Sequence, residues 1–338
     1  GALDMKSHLL CIIEGIETLL EEGYTTTRDV YVCLDYNEEI VAGKDNGAKK
    51  IATLLNERGI HFDSILDEGG GSTDVHAKNI LDAHITMVGV AEKGYADYEI
   101  TVKGLGGHSS FPPKHTALGQ LSELITKIEN HPFEPHFTTP VLAMFSTIGN
   151  HMSSPLGGLL KRPGVLKPVL KNIMGKNPFT AAMVRTSTAV TMASASPAPN
   201  VLPEAATCVI NFRLLQGDTL ASVKKHLEVL AKDYDATITL LKGKEASAVS
   251  PTDTRSFHTI DDIFADGCET SFTTPYLLTA CTDSYHYECI CENLYRFSPF
   301  SLPSELMHTP HSTNERFPVD QITPGVSFFM QYIRRMNA

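Results

Sequence analysis

The chain has 338 residues, a length that favours about two domains and suffices to bury a core without disulfide or metal staples. With 39 acidic and 28 basic residues, a formal charge of −11 and 42% apolar residues, it reads as a globular protein whose main partner is neither nucleic acid nor an anionic membrane surface. No apolar run reaches membrane-spanning length, no signal-peptide pattern opens the chain, and the seven scattered cysteines form no CxxC pair, so the expectation is no disulfide framework, no cysteine zinc knuckle, and the cytosol as default compartment.

In chain order, Leu9, Leu10, Ile12, Ile13, Ile16, Leu19 and Leu20 recur at helical spacing until Gly23, which predicts a first helix. Residues 30–34 (Val-Tyr-Val-Cys-Leu) are apolar on both faces, the pattern of a buried strand in a parallel sheet. Residues 44–58 read as an amphipathic helix ending at Gly59, and residues 62–66 and 85–91 as two more strands. Strands alternating with helices predict an α/β architecture, a three-layer domain with a mixed, mostly parallel sheet. The pattern changes near residue 95. Residues 95–104 alternate polar and apolar as in a half-buried strand; 118–128 are helical, 186–193 and 205–214 read as strands, 220–230 as a helix and 236–241 as a strand. This order predicts a small α+β, ferredoxin-like domain with an antiparallel sheet covered on one face. Between its first helix and second strand lies an insert, residues 132–183, rich in Pro, Gly and Leu, with helical pieces around 166–173. The α/β character returns after Ser250-Pro251, and residues 324–336 are predicted to close the chain as a helix. The expected organisation is a discontinuous α/β domain, residues 1–94 and 247–338, carrying an inserted domain at 95–246.

Glu38 and Glu39 follow the first predicted strand and Asp35-Tyr36-Asn37. The carboxyl end of a strand is where open α/β sheets build their sites. Adjacent carboxylates either lie solvated at the surface or hold a cation that relieves their repulsion. Asp4 precedes the first helix near its positive end, where it serves as a cap or as a ligand. Asp67-Glu68 runs into Gly69-Gly70-Gly71 and reads as a polar turn or a second carboxylate site. Near the C-terminus stands His308-Thr-Pro-His311-Ser-Thr-Asn314-Glu315. Most of the fourteen histidines must be incidental, yet His, Asp and Glu together are the ligand set of zinc or cobalt hydrolase centres. There is no HExxH helix, GxSxG elbow or P-loop. Gly106-Gly107-His108-Ser109-Ser110 is either a tight turn or a functional loop.

Taken in order, seven segments resemble the M-20 family of dimetal aminopeptidases, carboxypeptidases and aminoacylases. They are Gly1-Ala2-Leu3-Asp4-Met5-Lys6, Asn37-Glu38-Glu39, Leu66-Asp67-Glu68-Gly69, Gly106-Gly107-His108-Ser109, Asn200-Val-Leu-Pro203, Thr282-Asp283-Ser284 and His311-Ser-Thr-Asn314-Glu315. Residues 185–191 (Arg-Thr-Ser-Thr-Ala-Val-Thr), Ile210-Asn-Phe-Arg213, residues 295–299 (Tyr-Arg-Phe-Ser-Pro) and the insert resemble the branch that holds carboxypeptidase S and the N-fatty-acyl-amino-acid synthase/hydrolases. The resemblance implies that Asp4 bridges two metal ions, that Glu39 and His311 complete one site, and that Glu68 binds the other ion. It implies Glu38 as general base and acid, and His108 as an oxyanion donor reaching from the small domain of a partner subunit. It implies Asn200 and Arg213 as holders of the substrate carboxylate. The cofactor would be two Zn²⁺ per subunit, with Co²⁺ or Mn²⁺ accepting similar ligands. The protein would be a homodimer through its small domain, and the substrate a small peptide or an N-acyl amino acid. An aminoacylase or dipeptidase of the same family, or a catalytically incomplete chain, are the alternatives. The resemblance also implies a His from an HxD motif that would precede Gly1, so the chain is expected to be a piece of a longer protein. Tyr285 stands where relatives often carry Arg. In the insert, Leu156, Leu159, Leu160, Val165, Leu166, Val169, Leu170 and Ile173 either line a pocket for a long acyl chain or pack a lid.

Overall fold

The computed structural model describes residues 1–39, 45–266, 268, 270–303, 305–306 and 308–338, apart from the side chains of residues 165, 169 and 179. Its helices are α1 (Ser7–Glu21), α2 (Gly47–Glu57), α3 (Ala117–Glu129), α4 (Thr139–His151), α5 (Pro155–Leu160), α6 (Pro163–Met174), α7 (Pro178–Ala182), α8 (Leu220–Ala231), α9 (Arg255–Ala265) and α10 (Ile322–Asn337). Its strands are β1 (Ile65–Asp67), β2 (Gly71–Ala77), β3 (Leu81–Glu92), β4 (Gly94–Lys103), β5 (Gly107–His108), β6 (Ser187–Ser194), β7 (Val201–Leu202), β8 (Ala205–Leu214), β9 (Ala236–Lys244), β10 (Ser271–Leu278) and β11 (Leu294–Arg296). Several helix starts follow from their caps. Asn46, Thr116 and Thr254 each accept a backbone N–H from the first turn, and Thr219 with Ser222 forms a reciprocal capping box.

The first sheet runs β1-β11-β3-β10, with β2 also on β3. It is mixed: β1–β11 and β10–β3 are parallel, β11–β3 and β2–β3 antiparallel. One face is covered by α1, α9 and α10 around Val88, Val90, Phe297, Phe328 and Phe329. The opposite face takes α2 against Leu294 and α4 against β3 and β10, which makes three layers. The second sheet runs β6-β8-β4-β9, all antiparallel, with α3 and α8 on one face, the ferredoxin-like order. Strand β8 alternates strictly, sending Ala206, Cys208, Ile210, Phe212 and Leu214 into a core with Leu121, Leu124, Val223 and Leu227. Each large apolar side chain so buried contributes roughly 1.5–3 kcal/mol. Among the described residues no helix is long and apolar enough to cross a membrane.

Four sequence expectations need correction. Residues 30–34 form no strand; Val30, Tyr31, Val32 and Leu34 are exposed and no ladder bonds them. Tyr31 packs edge-on to Phe62, and the Cys33 thiol meets Tyr287. A run apolar on both faces needs a bonded neighbour and two covering layers, and this one has neither. The strand expected at 62–66 is shifted to Ile65–Asp67, because Phe62 turns into the core under α2. The helix expected from residue 44 starts at Gly47, where Asn46 caps it; residue 44 itself lies outside the described residues. The strand expected at 85–91 is longer, and β2 pairs with it in an unforeseen hairpin.

The insert is helical, as expected, but α4 packs on β3 and β10 rather than on the ferredoxin-like sheet. Its Leu156, Leu159 and Ile173 are exposed, while Leu160 is buried against Gly149.

Between α1 and α10, His8 is buried among Phe300, Phe329 and Ser298. Burial lowers its pKa from 6.5 to about 4. Protons therefore bind the unfolded chain preferentially, so stability is full above pH 6.5 and falls as pH drops towards 4, by roughly 3 kcal/mol. His8→Phe is expected to flatten that decline in urea melts between pH 6.5 and 4; an unchanged acid slope would assign it to other groups.

Candidate metal centre

Asp4, Glu39 and His311 come from three separate stretches of chain, yet their ligand atoms lie within 4.8 Å of one another. Asp4 sits on extended backbone just before α1 and caps nothing. Its Oδ2 is 2.9 Å from His311 Nε2, so its reading as a helix cap is set aside. Glu39 Oε1 is 3.2 Å from the same nitrogen. His311 and Asn314 hold left-handed φ angles of 59° and 67°, a conformation these residue types tolerate better than most, and the tight turn presents the imidazole outwards. Glu315, four residues on, accepts the backbone N–H groups of Leu3 (2.7 Å) and Asp4 (2.9 Å). One loop thus carries His311 and clamps the segment that carries Asp4.

The Glu38–Glu39 turn is braced on the start of α2. Asp35 Oδ2 accepts from Ala48 N and Asn37 Oδ1 from Gly47 N, both at 3.0 Å. A Cβ at Gly47 would lie 2.1 Å from Asp35 Oδ1, so a larger residue there would displace the carboxylate that accepts Ala48 N. Glu68 follows β1, and the chain leaves through Gly70, at φ 56°, where a Cβ would strike Met87 O at 2.3 Å.

Glu38 and Glu68 lie in the same field as Asp4 and Glu39. Burial first, then Glu39, Asp283, Asp67 and Asp4, push Glu38 up to about 8. Burial and then Asp67, Glu38, Asp4 and Glu39 push Glu68 up to about 9. Asp283, which accepts from Asn46 Nδ2 at 3.2 Å, is pushed up to about 7, chiefly by burial. Asp67 Oδ2 is buried with no hydrogen-bond partner. Mutually repelling carboxylates with an imidazole at their edge suit a divalent cation, and O and N donors match Zn²⁺, Co²⁺ or Mn²⁺. Asp67 and Asp283 also belong to this cluster; the sequence places each inside a family-like segment, Leu66-Asp67-Glu68-Gly69 and Thr282-Asp283-Ser284, without giving it a role, and only the fold brings them together.

His108 and Asn200 stand apart. His108 is exposed on β5, which pairs with β7, and Asn200 O accepts Ser109 N at 3.2 Å. Among the described residues neither is hydrogen-bonded to the acidic cluster. Arg213, on β8, lies over the Tyr95 ring and donates to Cys281 Sγ at 3.4 Å, beside the turn that carries Asp283.

A family model described as the peptidase dimerisation domain matches residues 90–239. Over its full length the chain is 31% identical to the N-fatty-acyl-amino acid synthase/hydrolase PM20D1 of Mus musculus and covers 67% of it. It is 30% identical to carboxypeptidase S of Saccharomyces cerevisiae, with all of this chain and 65% of that protein covered. The chain spans about two thirds of the length of these curated relatives. All of it superposes on 72% of the dipeptidase Dug1p of Saccharomyces cerevisiae, with a TM-score of 0.63 and 12% identity. The M20 family metallo-carboxypeptidase Sso-CP2 of Sulfolobus solfataricus matches with a TM-score of 0.60 and 14% identity, over 97% of this chain and 75% of that one. These two likenesses bear on the fold alone. The chain belongs to the M20 family of peptidases and related hydrolases.

With the Glu315 carboxylate removed, the Leu3 and Asp4 N–H groups lose their acceptor. Glu315→Ala is expected to weaken Zn²⁺ binding by about 10–100-fold, the usual cost of losing a group that orients a ligand. Calorimetric titration checks this; parent-like affinity would show that Asp4 is held without Glu315.

Proposed function

We propose that this chain carries the catalytic apparatus of a metal-dependent hydrolase that cleaves an amide bond next to a free carboxylate, as a carboxypeptidase or an N-acyl-amino-acid hydrolase. The observation that carries the reading is the convergence of Asp4, Glu39 and His311 within 4.8 Å, beside Glu38. Asp4, Glu39 and His311 would hold one ion, and Asp4 with Glu68 a second. A bound divalent ion supplies Lewis acidity, which lowers the pKa of water and polarises a carbonyl.

The chain's own residues do the rest. Glu38 takes the proton from the attacking water and passes it to the departing amine. His108 donates to the oxyanion, from a second copy of the chain docked through the four-stranded sheet. Arg213 engages both oxygens of the substrate carboxylate through its planar fork, and Asn200 assists it. The relatives named for N-fatty-acyl-amino acids and for carboxypeptidase activity support this choice of substrate class.

The test is elemental analysis followed by rates on matched substrates, N-acyl amino acids and dipeptides against their C-terminal amides, with Zn²⁺, Co²⁺ or Mn²⁺ added. Hydrolysis of the free acids only, with metal required, is the expected result. Cleavage indifferent to the metal would refute the reading. Arg213→Ala should slow the acids far more than the amides; equal loss on both would make Arg213 structural.

A further inference from the structure

The chain crosses between the two sheets twice, and both crossings run past one carboxylate. Outbound, β3 ends at Glu92 and β4 begins at Gly94. Inbound, β9 ends at Lys244, and Ser247 exchanges two bonds with Glu92: its N–H donates to Glu92 O at 3.1 Å and its Oγ accepts Glu92 N at 2.8 Å. A Cβ on Gly94 would stand 2.7 Å from Lys244 O, so the crossings touch.

The Glu92 side chain is fully buried, as is Arg296, and Lys244 is only 9% exposed. Glu92 Oε2 accepts from Thr282 N (3.1 Å), Thr282 Oγ1 (3.0 Å) and Arg296 Nε (3.3 Å), while Oε1 meets Lys244 Nζ. Lys244 belongs to the four-stranded sheet, Arg296 to the five-stranded sheet, and Thr282 to the turn that leads directly into Asp283. Cys281, one residue earlier, accepts from Arg213 and donates to Lys93 O. Buried ion clusters are poor stabilisers, since apolar replacements of similar volume are often neutral or better. What this cluster contributes is direction: one carboxylate joins both sheets to the turn carrying Asp283.

We propose that Glu92 is a positioning residue whose carboxylate fixes the 282–284 turn, and with it Asp283, so that the seating of one sheet on the other sets the geometry of the acidic cluster. The proposal rests on the reading of that cluster as the metal centre.

The experiment compares the parent chain with Glu92→Gln, Thr282→Val and the double variant, by amide hydrogen exchange without metal and by Co²⁺ titration followed by visible absorption. In each variant, residues 282–287 are expected to exchange about tenfold faster while α3 and α8 keep their protection, and Co²⁺ is expected to bind about tenfold more weakly with an altered spectrum. Thr282 Oγ1 also accepts Ser284 N at 3.3 Å and meets Ser284 Oγ at 2.7 Å, so Thr282→Val loses those bonds as well, and the double variant should be milder than the sum of the two single changes by the part that runs through Glu92. Unchanged exchange in Glu92→Gln, or effects that add in full, would overturn the proposal. Glu92→Asp, which keeps the charge between Lys244 and Arg296 but shortens the reach to Thr282, takes the place of Glu92→Gln if that variant does not fold. A parent chain that takes up no Co²⁺ refutes the metal reading, and the exchange data then still decide whether Glu92 positions the turn.

Discussion

Glutamine at position 38 is expected to lower kcat on an N-acyl amino acid by about 10²–10⁴-fold, the usual worth of a positioned base, and to leave metal uptake unchanged. The two adjacent glutamates have different surroundings. Glu39 reaches His311 at 3.2 Å and joins the three-donor cluster. Glu38 makes no hydrogen bond or ion pair with any described residue, yet lies in the field of Glu39, Asp283, Asp67 and Asp4. It lies in the field of the cluster and outside the three-donor group. The amide of glutamine has the same shape but cannot take a proton from water, so the change removes the base and little else. Initial rates and elemental analysis on the same preparation check this. Parent-like turnover would take Glu38 out of the base role; loss of metal together with turnover would make it a ligand.

What the sequence reveals follows from how local each signal is. The ferredoxin-like unit is readable because its strands are half-buried: Ala205–Leu214 alternates strictly, and that period survives without knowledge of its neighbours. The 30–34 run carries no such internal check, and its apolar content is equally compatible with the exposed, unpaired segment observed. Strand β2 is hidden for the opposite reason. Gly-Ser-Thr-Asp-Val-His-Ala is too polar to announce a strand, and it is held by the ladder to β3 and by the cross-strand pairs His76–Asp82 and Asp74–His84. Pairing decides it, and pairing is non-local. The same holds at the site. Single carboxylates at strand ends are visible one at a time, but the meeting of Asp4 with His311, 307 positions apart, and of Asp67 and Asp283 with Glu38, exists only once the sheet is assembled. The seating of α4 on β3 and β10 is likewise invisible in the insert's own pattern.

Mixing His108→Ala with Glu38→Gln is expected to restore activity that neither variant has alone. Each single change should be severe: removal of one oxyanion donor typically costs about 10²–10³ in turnover, and loss of the base at least as much. His108 is exposed on a two-residue strand, held by Ser110 N on its Nδ1 and by the pairing of β5 with β7. Among the described residues it has no hydrogen bond to the acidic cluster, and in the proposed dimer a second copy brings this imidazole to the reacting carbonyl. In a twofold dimer with random subunit exchange, half the dimers are hybrids, and each hybrid holds one site with both groups intact. Recovery should therefore approach about one quarter of the parent rate. Were His108 to serve the cluster of its own chain, every site in every hybrid would lack one group and the mixture would stay as inactive as its components. Subunit exchange is verified separately by mass-labelled chains, so that absence of recovery counts against the shared site and not against the mixing.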